Sequence, residues 1–98
     1  MTFEVRLLKE AKKDYDNLDN SQKIHVKKSF QKLQIVGGQA GEALRGTLTG
    51  YRKLKHRKLG LRIIFRQVAN KIEIIEVVAI GKRSDSEIYK IAEKRIRG

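Results

Sequence analysis

The sequence predicts a small α+β domain. We expect a twisted, mainly antiparallel β-sheet of about four strands, covered on one face by an amino-terminal helical hairpin and followed by a short carboxyl-terminal helix. Apolar residues recur at helical spacing in the first half of the chain and in strand-like patterns over residues 51–80. A Ser-x-x-Glu helix-capping signal then follows at residues 84–87. The chain has 98 residues, which fits a single domain over residues 1–98.

The amino-terminal half predicts one strand and two helices. Apolar and charged residues alternate over residues 3–7, as in a half-buried strand. Helical spacing follows from Leu8 to Leu18, and residues 19–21 supply a break and an N-cap. A second amphipathic helix then extends to Gly37, a residue type that accepts the backbone conformation of a helix end. Two helices joined by a short turn form a hairpin that must pack on a sheet.

The carboxyl-terminal half predicts strands and then a helix. Residues 51–57 and 61–66 flank a turn at residues 58–60, with Val68 as a candidate extension of the second strand. Residues 71–80 are rich in β-branched side chains, which indicates a central strand covered on both faces, preceded by a turn at residues 69–70. The final helix is predicted to pack through Ile88, Ile91, Ala92 and Ile96.

The composition excludes several classes of function. The chain has no cysteine, so disulfides and thiolate chemistry are excluded. It has no signal peptide and no apolar run of membrane-spanning length, so we expect a cytoplasmic protein without a membrane partner. Asp14, Asp16 and Asp19 are interpreted as a solvated helix end rather than a metal site, His25 as a surface residue and His56 as a packing residue.

The charge is the strongest functional signal. The chain has 23 lysine and arginine residues against 11 acidic ones, a net charge of +12 at pH 7. Such an excess in a small domain indicates a polyanionic partner: nucleic acid, an acidic protein or an anionic membrane surface. Part of it lies in a segment, residues 51–66, that contains no carboxylate but carries Arg52, Lys53, Lys55, Arg57, Lys58, Arg62 and Arg66.

Strand register decides which of these cations lie together. If Lys55 pairs with Arg62, then Lys53 pairs with Ile64 and Arg57 with Gly60. The apolar residues and His56 then share one face, with Arg52 at its edge; the other face carries Lys53, Lys55, Arg57, Arg62, Ile64 and Arg66. A slip of one residue would place lysines over the core, at a cost of several kcal/mol for each unpaired ammonium. We therefore predict cations gathered on an open face that binds an oligoanion, which would relieve the repulsion between Lys55 and Arg62.

The sequence at this point resembles the RelE branch of the RelE/ParE toxin superfamily, from bacterial and archaeal toxin–antitoxin pairs. Each matching motif is short, but their order and spacing cover essentially the whole chain and agree with the predicted order of elements. The matching stretches are LRG (residues 44–46), YRKLK (51–55), GLRIIF (60–65) and VAIGKR (78–83), with Tyr89 six residues later.

The resemblance implies a metal-independent endoribonuclease without a cofactor that cuts messenger RNA in the ribosomal aminoacyl site. The family's functional positions fall on Lys53, Lys55, Arg62, Arg83 and Tyr89. Relatives with a Glu/His catalytic pair keep a histidine near the carboxyl terminus, and this chain has none after His56. Further basic residues are expected to bind RNA: Arg45, Arg52, Arg57, Lys58, Arg66 and Lys82.

RNA can supply its own nucleophile in such a reaction. The 2′-hydroxyl attacks the adjacent phosphorus and leaves a 2′,3′-cyclic phosphate and a 5′-hydroxyl, so the enzyme must orient groups, accept a proton and stabilise charge. We expect Lys53 or Lys55 to be the base and Arg62 to hold the phosphate. Arg83 would stabilise charge in the transition state, with proton donation as a second possibility, and Tyr89 would stack on a nucleobase.

Two other functions stay open. Both the RelE-like and the ParE-like interpretation also imply a protein partner. A ParE-like toxin would inhibit gyrase by binding alone, and a non-catalytic RNA-binding module would bind with strong salt dependence but form no cyclic phosphate. The family resemblance also implies a cognate antitoxin that neutralises the basic toxin.

Arg83→Ala is predicted to abolish cleavage of ribosome-bound message while the protein stays folded, because it removes a charge-stabilising group. The measurement is mapping of cleaved 5′ ends, with circular dichroism as the folding control. Unchanged cutting by this variant would contradict the role given to Arg83.

Overall fold

Five strands form one mixed sheet in the computed structural model of the chain, which describes residues 3–68, 74–82 and 87–97. β1 runs parallel to β5, and every other neighbouring pair is antiparallel. The predicted α+β class is confirmed, while the expectation of about four strands missed a two-residue strand at one edge. In spatial order the strands are β1 (Glu4–Leu7), β5 (Ile74–Lys82), β4 (Leu61–Val68), β3 (Arg52–His56) and β2 (Glu42–Ala43).

In the described part of the chain, three α-helices accompany the sheet: α1 (Lys9–Asp16), α2 (Asn20–Val36) and α3 (Glu87–Arg97). The predicted N-cap of α2 is confirmed, because the Asp19 carboxylate accepts a 2.8 Å hydrogen bond from the Gln22 amide, and the Gln22 side chain accepts one from the Asp19 amide. The predicted turn at residues 69–70 and the capping signal at Ser84 lie outside the described residues. Within the described ranges, no helix is both long and apolar enough to cross a bilayer.

The end of α2 requires a glycine at residue 37. Gly37 has φ of 73°, in the left-handed region that favours glycine. A Cβ there would lie 2.4 Å from the ring of Phe3, so a larger residue would also displace the start of the sheet. The predicted end of α2 at this residue is therefore confirmed, and it brings the helix close to β1.

The sheet separates two apolar clusters. On one face, Ala11 of α1 and Val26 and Leu33 of α2 pack against strand residues such as Phe65. On the other face, α3 packs Ile88 and Ala92 against residues of β4 and β5. The face that was predicted to be open is therefore partly covered, because Ile64 is fully buried in this second cluster.

β5 is covered on both faces, as its apolar sequence predicted. Residues 77–80 are all buried. β5 lies between β1 and β4, and the middle strand of the five is β4 rather than β5. Ile64 pairs with Ala79 and Phe65 with Val77, which leaves Val78 as an extra residue in a β-bulge. The bulge lets Val78 and Ala79, although consecutive, both join the cluster beneath α3.

An ion pair covers the part of β5 that extends beyond the end of β1. The Asp14 carboxylate accepts hydrogen bonds from the Ile80 amide at 3.0 Å and from Arg95 at 2.6 and 3.0 Å. Arg95 in turn donates to the Val78 carbonyl at 3.0 Å. The pair thus hydrogen-bonds to the Ile80 amide and the Val78 carbonyl of β5, which lie beyond the end of β1. It also attaches α1 and α3 to this edge of the sheet.

Asp14 was interpreted as part of a solvated helix end, and this interpretation was wrong. Its side chain is 19% exposed and that of Arg95 is 16% exposed. The hydrogen bond to Asp14 raises the pKa of Arg95 above its usual value, burial opposes this shift, and the charges of Asp14 and Glu10 add to it. Arg95 consequently stays positively charged at every pH at which the protein would be studied.

Arg95→Met should lower the free energy of unfolding by roughly 3 kcal/mol, because it leaves the Asp14 carboxylate largely buried without its counter-ion. Urea unfolding followed by circular dichroism measures this change. Arg97→Met is the matched control, since it removes the same charge from an exposed position of α3 and should cost less than about 0.5 kcal/mol. Equal unfolding midpoints for the two variants would contradict this function of the ion pair.

Candidate functional site

Three cations converge on the sheet face that α3 partly covers. Lys55 pairs with Arg62 and Lys53 with Ile64 in the β3–β4 ladder, which confirms the register predicted from the apolar pattern. The ladder ends at His56 and Leu61 rather than at the predicted pair of Arg57 and Gly60. Arg57 instead begins a single-turn 3-10 helix, and the Gly60 amide closes it by donating to the Arg57 carbonyl. The main group of predicted site residues therefore shares one surface.

Tyr89 of α3 completes this group. Arg62 Nη1 donates a hydrogen bond to the Tyr89 hydroxyl, and the Arg62 guanidinium carbon lies 5.5 Å from the centre of the Tyr89 ring. Lys53 Nζ lies 5.7 Å from the same ring centre. An aromatic ring from the carboxyl-terminal helix thus lies beside two cations from neighbouring strands.

The Arg62 side chain retains an unused donor. Its Nε is buried and has no hydrogen-bond partner among the described residues. A buried charged donor without an acceptor is costly, and an anionic oxygen is the acceptor it matches best. A cavity of about 280 Å³ opens beside it, lined by Lys55, His56, Arg57, Leu61 and Arg62.

The structure adds Glu42 to the site, a residue that no sequence motif indicated. Its carboxylate oxygens lie 3.6 Å from Lys55 Nζ and 4.0 Å from Lys53 Nζ. No other carboxylate within the described ranges lies within 4.0 Å of either lysine amine. Glu42 belongs to a strand of only two residues, too short to produce a periodic signal in the sequence, so only the fold brings it to the lysines.

The residues expected to bind RNA are dispersed around this group. Arg57, Lys58 and Lys82 are exposed at the end of the sheet where the β3–β4 turn lies, and Arg45 is exposed before a 3-10 turn at residues 46–48. Arg66 lies further along β4, where it contacts Glu76 at 2.9 Å and the Tyr51 ring. Arg83 lies outside the described residues.

Arg52 does not join the cation group. Its guanidinium donates to the Gly41 carbonyl at 2.8 Å, and its Nε is buried without a partner in the described part of the chain. It therefore links β3 to the segment before β2. This position agrees with its predicted place at the edge of the apolar face and is far better suited to holding β2 than to contacting RNA.

The two histidines form a pair, which the sequence did not predict. The rings of His25 on α2 and His56 on β3 have their centres 5.0 Å apart. His25 is half-buried rather than a free surface residue, whereas His56 does pack towards the helices as expected. The Nδ1 atom of His56 is buried and has no hydrogen-bond partner among the described residues.

Known proteins are similar to this chain in sequence and fold over nearly its whole length, although no family model matches the chain. A RelE-like toxin protein of Escherichia coli is 33% identical over 97 residues, 99% of this chain and 100% of the relative. The mRNA interferase toxin RelE of E. coli strain K12 is 31% identical over 96 residues, 98% of this chain and 95% of the relative.

Solved structures agree with these relatives. The isolated E. coli RelE toxin has a TM-score of 0.72 at 27% identity and covers 98% of this chain and 99% of its own. A mutant E. coli RelE in complex with a peptide of the antitoxin RelB has a TM-score of 0.73 at 25% identity, covering 94% and 95% of the two chains.

The fold and the sequence similarity therefore define a toxin of the RelE class. Because two curated relatives align with almost every residue of the chain at more than 30% identity, the chain belongs to the RelE toxin family. The resemblance noted in the sequence is confirmed.

His56→Leu should raise the free energy of unfolding by about 1 kcal/mol, because it replaces a buried nitrogen that lacks a partner with an apolar group of similar size. Chemical denaturation at neutral pH measures the difference. His25→Leu is the comparison variant and should give a smaller change, because no buried nitrogen without a partner is found on His25 in the described structure. A destabilised His56→Leu protein would indicate that the imidazole makes a polar interaction required by the fold.

Proposed function

We propose that the protein is an endoribonuclease toxin that cuts messenger RNA in the ribosomal aminoacyl site and thereby inhibits translation. The observation that carries this proposal is the convergence of Lys53, Lys55, Arg62 and Tyr89 on one sheet face. The names of the curated relatives, RelE-like toxin and mRNA interferase, support the same activity.

The cation group suits a phosphodiester. Like charges that face each other across strands repel, so Lys55 opposite Arg62 is favourable only when negative charge lies between them. A bound phosphate supplies that charge, and the Arg62 guanidinium can hold it through paired hydrogen bonds while the lysines act as point charges. The phosphorane transition state carries more negative charge than the substrate. This arrangement therefore stabilises the transition state more than it stabilises the substrate.

Tyr89 and Arg83 complete the proposed site. The Tyr89 ring can stack on a base next to the cleaved bond, an interaction worth on the order of 1–3 kcal/mol per base. Stacking would turn the nucleotide so that its 2′-oxygen, the phosphorus and the 5′-oxygen lie in line. Arg83 is assigned from its motif to stabilise charge, because a guanidinium rarely gives up a proton. The sequence left Lys53 and Lys55 as alternative bases.

The proposed partners follow from charge and from the relatives. A net charge of +12 favours binding to ribosomal and messenger RNA, and it also favours an acidic protein surface. A similar structure was solved in complex with a peptide of the antitoxin RelB, and we expect a cognate antitoxin to neutralise this chain as well. Because the proposed target is the ribosome, we also propose that the protein acts in the cytoplasm. The proposed chemistry needs no metal or small-molecule cofactor.

The deciding experiment adds the purified protein to ribosomes programmed with a defined message and maps the new 5′ ends. The expected result is cleavage in the aminoacyl site that leaves a 2′,3′-cyclic phosphate. A DNA supercoiling assay with gyrase runs in parallel. Inhibition of gyrase without RNA cleavage would refute the proposal in favour of a ParE-like toxin, and RNA binding without a cyclic phosphate would reduce the protein to a binding module.

Arg62→Ala should lower the cleavage rate by about 10²–10³-fold, the usual loss when one group that stabilises transition-state charge is removed. Single-turnover cleavage of ribosome-bound message measures the rate. Arg97→Ala, which removes the same charge from the exposed end of α3, should cleave like the unmodified protein. Equal rates for both variants would show that Arg62 does not act on the phosphate.

A further inference from the structure

The outer edge of β1 is open. β1 is the last strand at one side of the sheet, and no strand in the described ranges pairs with its outer edge. The Leu8 amide donates to a β5 carbonyl at 3.0 Å, whereas the Phe3 amide faces away from β5 and donates to a carbonyl of α2 at 2.7 Å. Since successive residues of a strand direct their backbone groups to alternate sides, the amides and carbonyls of Val5 and Leu7 also face outward. β1 can therefore pair with a further strand.

The exposed side chains of β1 carry opposite charges two residues apart. Glu4 and Arg6 contact each other at 2.9 Å, and Val5 and Leu7 complete the strand. Charged side chains on an edge strand normally discourage pairing with another chain. A second copy of β1 in the antiparallel direction, however, reverses the order of the charges, so that each Glu4 can lie opposite an Arg6. The charge pattern of this edge is therefore complementary to itself.

One symmetric register satisfies both the backbone groups and the charges. In an antiparallel pair related by a two-fold axis, the residue at the axis lies opposite its own copy. An axis at Glu4 or Arg6 places like charges opposite each other, which is destabilising. An axis at Phe3 needs an amide that is already bonded to α2, and an axis at Leu7 leaves few strand residues to pair because α1 follows at once. An axis at Val5 instead places Glu4 opposite Arg6 twice.

We propose that two copies of the protein form a symmetric dimer through β1, which joins their five-stranded sheets into one continuous sheet. The two Val5 residues exchange amide–carbonyl hydrogen bonds at the axis, and the Leu7 amide of each copy donates to the Phe3 carbonyl of the other. Glu4 and Arg6 lie opposite each other in the pairs without backbone hydrogen bonds, where side chains approach most closely. The cation group takes no part in this interface, so the dimer does not depend on the proposed cleavage activity.

Exposed apolar side chains adjoin both ends of the open edge. Of the five large apolar side chains that are exposed among the described residues, Leu8 (40%) directly follows β1. Ile35 (70%) and Val36 (41%) lie at the end of α2 that bonds to Phe3 at the start of β1. The two-fold axis brings the α2 end of each copy towards the Leu8 end of the other. Apolar surface grouped in this way beside an unpaired edge favours association, because pairing removes part of it from water.

The net charge of +12 on each copy opposes association, but the position of β1 limits this effect. The cation group lies on β3 and β4, and β5 separates β4 from β1. In the dimer, five strand spacings separate the two β4 strands, a distance of roughly 24 Å. Salt at physiological ionic strength screens charges over about 8 Å, so most of the repulsion between the two cation groups is removed. The axis is perpendicular to the sheet, and both cation groups therefore lie on the same face and stay accessible.

The test measures the association of the purified protein by sedimentation equilibrium at about 0.15 M salt. The unmodified protein should sediment as a dimer. Glu4→Arg and Arg6→Glu each create two pairs of like charges across the axis, and each should weaken the dimer at least about 10-fold. An equal mixture of the two variants should form heterodimers as stable as the unmodified dimer, because every charged pair across the interface then has opposite signs again.

Lys58→Glu is the matched control. It reverses the same charge as Arg6→Glu, but in the exposed β3–β4 turn away from β1, and it should dimerise like the unmodified protein. Circular dichroism checks that each variant is folded. An unmodified protein that is monomeric at every concentration, or a dimer that neither charge reversal weakens, would overturn the proposal. Variants that stay monomeric when mixed would contradict the register centred on Val5.

Discussion

The pairing of Lys55 with Arg62 is the constraint from which the site follows. The apolar residues of β3 and β4 can reach the core in one register only, and that register brings two cations face to face. The stability of the core thus fixes an arrangement that is electrostatically unfavourable on the other face. Glu42 relieves part of the repulsion in the free protein. The remaining positive charge is available to an anionic ligand, so the same strand pairing serves folding and binding.

The sequence predicted those features that depend on local pattern. The β3–β4 register could be inferred because apolar side chains alternate on both strands, and the Asp19 cap because its signal lies within four residues. The contacts of Glu42 and the Asp14–Arg95 pair could not, because each joins segments distant in sequence, and a pattern within one segment does not show which distant segment it meets. The partial cover over Ile64 was missed for a related reason: amphipathicity shows that α3 packs, but not on which face of the sheet.

The edges of the sheet show how a small domain protects unpaired backbone groups. β1 is shorter than β5, and the Asp14–Arg95 pair binds the amide and carbonyl that it leaves uncovered. At the other edge, β2 is limited to two residues, and a very short edge strand offers little template for pairing with another chain. α3 carries both Arg95 and Tyr89, and β2 carries Glu42, so edge protection and the candidate site share the same elements.

The position of Tyr89 depends on contacts at both ends of α3. Near its start, Tyr89 meets Arg62 and Lys53; two turns further on, Arg95 anchors the helix to Asp14 and to the edge of β5. The anchor acts through a packed helix, because Ala92 is buried between these two points and Ile88 is buried next to Tyr89. A change that loosens Arg95 therefore reaches the site through α3 rather than through the sheet. The cations on β3 and β4 would keep their register, while the Tyr89 ring would lose its fixed position beside them.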